Sequence, residues 1–432
     1  MKNYYSWIRQ EIHKWQQEGL VSAEQAQLLS NRYIDDGQQN SWGKVIFSAI
    51  GAIILGLGVI LFFAYNWEAM HRFLKLSTVL SAVAIAHGLG WYFSFNSKHY
   101  QKVGESLHLL GTMLFGAGIW LIAQIYHIDE HYPNAILIWS IGSLAMAWVL
   151  SSSIHALLAM ALLGFWSAAE VFDFDRVTSL APWIVAFGVL PLAWQKRSKL
   201  LLFFSASLFL LLLFFSSINV DGALAFNLLF VVAVGYIGFS KLCHSFGMGQ
   251  FENILRIIGT IVYVVFLYIL CFSNVVDELY IGSITVTTVI LYWWLPFVFT
   301  FLVWLGVWLK RASIPQTRFD LIDSSFTLFT FLFYSVLVCI IKPEDADFSL
   351  LFNIIFFAHG VLYLLRGMES VRWQQVALGG LMIASLIFAR FLDLFDSLLS
   401  RSFAFVILGA GLMLVGILFS RQKAKQEAIN HD

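Results

Sequence analysis

Apolar residues run along this chain in blocks of about 20, parted by short polar interruptions. A helix of that length crosses a hydrocarbon core about 30 Å thick, and only helices or closed barrels satisfy their backbone groups there. The blocks fall at residues 45–65, 73–95, 104–126, 134–150, 154–172, 178–194, 200–218, 223–240, 254–272, 286–308, 321–341, 348–365, 373–391 and 403–419. The pattern predicts an all-α, polytopic helical membrane protein with about 14 transmembrane helices, or 12 to 14 because the fourth and sixth runs are short. Most loops are under a dozen residues, too short for a folded domain outside the membrane.

Residues 1–44 follow a different pattern. Tyr5, Ile8, Ile12 and Trp15 recur at helical spacing, and Gly19 suits a helix stop. Ser22 opens a second helix, and Gln25, three residues on, completes a capping box. Ala26, Leu29 and Tyr33 form its apolar stripe. This predicts a short helical hairpin on the cytoplasmic membrane surface; a removable signal peptide would need an apolar core and a small-residue cleavage site. The rest divides into a first bundle, 45–195, and a second, 196–432. The first carries an internal echo: Gly51, Gly56 and Gly58 recur as Gly111, Gly116 and Gly118 after 60 residues, pointing to a duplicated hairpin. Gly51 and Gly58 share a helix face, as do Gly111 and Gly118, and such faces let a neighbouring helix approach closely. Ala86-His87-Gly88 also resembles Ala358-His359-Gly360.

Composition agrees: hydrophobic residues make up 59%, charged residues 12%, and mean hydropathy is +0.78. Net charge is zero, so no bulk field points to nucleic acid. The sign of the loop charges sets the orientation. With the N-terminus inside, 20 of the 26 Lys and Arg fall on inner segments and 6 on outer ones. Short cytoplasmic loops retain positive charge, so both termini are expected in the cytoplasm. Cys243, Cys271 and Cys339 lack metal-ligand spacing and read as packing residues, with a Cys271–Cys339 disulfide as the alternative.

Three stretches carry a family resemblance: Glu18 through Ala26, Gly58 through Ala64-Tyr65-Asn66-Trp67, and Phe115-Gly116-Ala117-Gly118-Ile119-Trp120 on to Gln124-Ile125-Tyr126-His127. Over roughly residues 10–170 the chain resembles bacterial predicted membrane proteins grouped as domain-of-unknown-function family 2157. The resemblance implies a bacterial inner-membrane protein and brings no activity, substrate or catalytic residue.

Polar side chains at membrane depth are costly and usually face a bundle interior or a wet cavity. Asn66, Glu68, Gln124, His127 and Glu170 gather at the outer ends of their spans and form a candidate outward-opening pocket for a proton, a cation or a polar solute. Ordinary loop solvation and interfacial anchoring compete with that reading. His87, Glu105 and His108 form a candidate intramembrane relay in the inner half, against plain packing and snorkelling. Catalytic and metal motifs are missing: there is no glycine-lysine phosphate loop, no HExxH and no Gly-x-Ser-x-Gly, and no cofactor is implied. Asp173-Phe174-Asp175 leaves a remote glycosyl- or acyl-transferase alternative.

Two functions compete. One is a transporter or flippase, whose partners are the bilayer and a polar solute, proton or lipid substrate. The other is a non-transporting scaffold or envelope-assembly partner, with the glycine faces serving internal packing or a homo-oligomer. If the outer pocket exists, Gln124→Cys in a background free of native cysteines is expected to react with an impermeant thiol reagent from outside, in a solute-dependent way. No reaction from either side, with loop controls labelling normally, removes that pocket.

Overall fold

In the computed structural model, residues 11–32, 70–96, 100–128, 131–272, 275–281, 294–310, 318–339, 348–394 and 398–429 are described, with scattered positions between 47 and 65. Among the described residues there is no strand. The helices are α1 (Ala23–Arg32), α2 (Arg72–Asn96), α3 (Gln101–Tyr126), α4 (Pro133–Val149), α5 (Ser153–Phe172), α6 (Ala181–Gln195), α7 (Lys199–Ile218), α8 (Gly222–Leu242), α9 (Glu252–Leu270), α10 (Leu295–Leu309), α11 (Arg318–Cys339), α12 (Ser349–Glu369), α13 (Trp373–Leu394) and α14 (Leu398–Ile429). Eight helices among the described residues are long and apolar enough to cross a membrane, and α4, α6, α10 and residues Trp373–Ala389 are apolar but shorter. The helical membrane class stands on these. The expected first span, 45–65, is helical at its described positions, and most of it lies outside the described residues.

Local chemistry explains the boundaries. The capping box forms: Ser22 N–H donates to Gln25 Oε1 at 3.0 Å, and Gln25 N–H donates to Ser22 Oγ at 3.2 Å. Gly19 takes a φ of +71° between that box and the helical residues 11–17. Ser198 Oγ accepts from Leu201 N–H and opens α7, while Asp221 Oδ1 accepts from Leu224 N–H at 2.9 Å and opens α8. Pro191 has no N–H to donate, and α6 answers with a π turn over Val185–Val189 just before it. The Gly188 carbonyl in that turn accepts from the Trp148 indole of α4 at 2.8 Å.

The chain divides into two compact units, Met1–Ile128 and Asp129–Asp432. In the first, α2 and α3 form an antiparallel hairpin. A Cβ at Gly104 would strike Ser94, one at Gly111 the His87 ring at 2.7 Å, and one at Gly118 Val79 at 2.8 Å. These glycines, seven residues apart, let the two helices close on each other. Gly51 and Gly58 are exposed on their helix, with nothing within 4 Å.

In the second unit α8 is the most enclosed of the long helices and packs against α7, α9, α10 and α11. Phe230 of α8, Tyr263 and Phe266 of α9, Phe331 and Tyr334 of α11, and Phe352 and Phe356 of α12 build its core. The boundary expected at 195/196 falls inside this unit, where α7 packs on both α5 and α6. α12 and α13 are the tightest pair: a Cβ on Gly379 would lie 2.5 Å from the Gly360 carbonyl and 2.7 Å from the Leu364 nitrogen. Backbone cannot step aside as a side-chain tip can. Gly379→Ala is therefore expected to destabilise the protein by about 1–3 kcal/mol. Gly164→Ala, whose Cβ would meet Leu208 at an ordinary 3.4 Å, is expected to melt like the wild type.

Candidate functional site

Five helix ends meet at one end of the second unit: the C-termini of α8 and α12 and the N-termini of α9, α11 and α13. They enclose a cavity of about 580 Å³. Lys241 enters it from the last turn of α8, Arg256 from the second turn of α9, Asp323 from α11 and Arg366 from the last turn of α12. Arg372 lies in the turn between α12 and α13, with Gln374 and Gln375 beyond it. Lys241 and Arg366 at C-terminal ends and Asp320 in the first turn of α11 follow the helix dipoles, whereas Arg256 and Arg372 sit at N-terminal ends against them.

Arg366 is the centre of the charge network. Its Nη2 lies 2.5 Å from Asp320 Oδ1, and its Nη1 donates to Asp323 Oδ2 at 2.9 Å. The Arg366 side chain is 11% exposed and that of Asp323 7%. Lys241 Nζ donates to Ser324 Oγ at 2.8 Å, and Ser324 Oγ in turn donates to the Asp320 carbonyl. Arg256 is held by residues of its own helix, Asn253 at 2.6 Å and Glu252 at 3.4 Å. Asp323 Oδ1 is buried and makes no hydrogen bond among the described residues, although Asp323 lines the cavity.

Deeper in the unit the polar groups are closed among themselves. His359 donates from Nδ1 to the Ile355 carbonyl at 3.0 Å, so its neutral ring accepts at Nε2 from Tyr263 Oη, 2.9 Å away. Asn227 donates to the carbonyls of Ala223 and Leu279 and accepts from Tyr334 Oη at 2.7 Å. These satisfied groups tie α8, α9, α11 and α12 together.

The residues singled out from sequence are distributed as follows. Asn66 and Glu68 lie outside the described residues. Gln124 is exposed near the end of α3, and His127 closes that helix with a left-handed φ of 53°. Both belong to the first unit, while Glu170 belongs to the second. Glu170 is buried at the end of α5, where its Oε2 lies 2.8 Å from His131 Nε2 and its Oε1 accepts from the Trp166 indole at 3.1 Å. Of the candidate relay, His87 and His108 meet with their Nδ1 atoms 3.2 Å apart. One nitrogen must donate and the other accept, so the contact holds a single proton. Glu105 faces Lys102 at 3.3 Å. Asp173 is taken by Tyr132 Oη at 2.5 Å; that bond leads, ahead of partial burial and neighbouring carboxylate charge, in raising the exposed phenol's pKa above its usual value. Among the described residues no three His, Cys, Asp or Glu side chains are grouped to hold a metal, and the three cysteines are unbridged.

Sequence reasoning missed His131 and the whole cationic cavity. Lys241, Arg256, Arg366 and Arg372 entered it only as inner loop charges. The available signal was Asp320 and Asp323 at the head of an apolar run, carboxylates that need a cation supplied by another helix.

A chain built from many apolar helices, with polar groups paired inside the bundle, is a multi-pass membrane protein. Residues 13–156 match the model of a family described as predicted membrane protein (DUF2157), a span that covers α1 to α4 and stops short of the cavity. No curated protein and no solved structure matches the chain.

Arg366→Ala leaves Asp320 and Asp323 without their cation and is expected to lower stability by about 3–5 kcal/mol in detergent. Removing all three charges together, as Asp320→Asn, Asp323→Asn and Arg366→Gln, is expected to recover much of that loss in the same thermal melt. Cys243, just past α8, is buried, and burial, with a smaller push from the Glu252 charge, raises its thiol to about 12. The thiolate is the reactive form, so only about one part in ten thousand reacts at pH 8, and maleimide is expected to leave Cys243 unmodified.

Proposed function

We propose that this chain is a transporter- or flippase-like protein of a bacterial inner membrane, with both termini in the cytoplasm. The observation that carries the reading is the cavity of about 580 Å³, whose charged walls sit at the ends of otherwise apolar helices. A scaffold has no need to hold polar space there, whereas a solute site does. The inner loop charges favour a cytoplasmic opening, because Lys241, Arg256, Arg366 and Arg372 all belong to inner segments of the threading. The broken helix α6, with its π turn, adds support, since discontinuous helices are a usual building element of transport sites. The paired imidazoles of His87 and His108 support a proton as the coupling ion.

Gln374 lines the cavity and is exposed, which suits it as a reporter. In oriented vesicles, Gln374→Cys is expected to react with an impermeant maleimide from the cytoplasmic face. Reaction only from the opposite face overturns the orientation. Silence from both faces, with the unfolded protein labelling normally, closes the cavity and hands the lead to the scaffold reading.

A further inference from the structure

We infer that the cavity binds the phosphate headgroup of a membrane amphiphile; this rests on reading the cavity as a substrate site. The charge balance comes first. Lys241, Arg256, Arg366 and Arg372 line the cavity, against Asp323 as its lining carboxylate. Asp320 and Asp323 are both drawn onto Arg366. Among the described residues Arg256 is bonded by Asn253 and Glu252 of its own helix, an arrangement that gives little net stabilisation and is readily exchanged. The Arg372 guanidinium makes no ion pair among the described residues. Two guanidinium forks and an ammonium thus converge on one space with positive charge to spare. Forked N–H groups match the oxygens of phosphate two at a time, which is why arginine predominates where phosphate is held.

The second observation is the buried Oδ1 of Asp323. Asp323 lines the cavity, and this oxygen, closed off behind its surface, lacks a donor among the described residues. A buried carboxylate oxygen left without a hydrogen bond is costly, and a turn of the Asp323 side chain toward the cavity lets a hydroxyl on the ligand beside its phosphate supply one. A hydroxylated headgroup, such as glycerol phosphate, carries both groups a short distance apart.

The third observation distinguishes a lipid from a soluble phosphate ester. Ile257 and Ile261, one turn apart on α9, also line the cavity, yet they are 53% and 56% exposed. Exposed apolar side chains on a membrane-spanning helix face hydrocarbon. The wall on that side therefore continues from the cationic space into the acyl-chain region. A headgroup enters sideways with its chains left along α9, and the volume suits a headgroup without them. Basic pockets between helices near the cytoplasmic surface are a recognised way of holding anionic lipids.

The test uses the full-length Gln374→Cys protein in nanodiscs. Phosphatidylcholine containing phosphatidylglycerol is expected to slow maleimide labelling about tenfold relative to phosphatidylcholine alone. In the double variant Arg256→Gln/Arg372→Gln that protection is expected to vanish, while its melting temperature stays near that of the parent, since neither side chain is in the Arg366 clamp. Glycerol 3-phosphate protecting as well as the lipid keeps the phosphate chemistry and overturns the lipid source. Oleate protecting as well as phosphatidylglycerol overturns the phosphate requirement. A reactive reporter that no phosphate compound protects overturns the ligand class and leaves the open cavity standing. A reporter unreactive in every composition removes the cavity and with it the reading beneath.

Discussion

A polar group inside an apolar bundle has no water to fall back on, so its partner must come from the same bundle. That constraint organises the second unit. Asn227 finds Leu279 and Tyr334, Tyr263 finds His359, and Arg366 finds Asp320 and Asp323. Each bond joins residues at least 43 positions apart, so satisfying the polar groups also helps to fix which apolar faces meet. The aromatic core of Phe230, Phe331 and Phe352 then packs around helices already held in register. Hydrophobicity alone supplies little preference among neighbours in lipid, where tails are as apolar as leucine. The Arg366 clamp differs from the inner bonds in one respect: it borders a cavity, and a further acceptor left open is part of it.

The first unit solves its packing by another route. Gly90, Gly104, Gly111 and Gly118 bring α2 and α3 so close that the two histidines touch each other's neighbouring glycines. The close approach makes the imidazole contact; the contact alone does not explain the approach. The family match spans this hairpin and ends before the charged cavity, so the two features are carried by different stretches of the chain.

The helices were legible because hydrocarbon thickness dictates their length, and periodic apolar runs report it directly. The Ser22/Gln25 capping box and the Gly19 stop were legible for the same local reason, as their partners lie within a few residues. The family resemblance was legible in the stretches around Gly58 and Phe115–Trp120. The cavity was not, because its residues come from five helices and run from Ile237 to Leu378, and single charges at span ends look alike whether they face headgroups or each other. Glu170 stood out as a buried carboxylate, but its partner His131 arrives from the start of another helix, beyond any spacing rule. The span count also resists a sequence reading, since α4 and α6 are apolar but shorter than the helices whose length alone marks them as spans.

The π turn in α6 has a mechanical meaning. It holds one residue more than an α turn, and moving that extra residue along the helix would rotate every side chain it passes by about 100°. The surplus lies just before Pro191, and the Trp148 indole bonds the Gly188 carbonyl within it. One indole on α4 thus meets the widened turn at its surplus carbonyl, so the face that α6 turns toward α4 is tied to a single side chain.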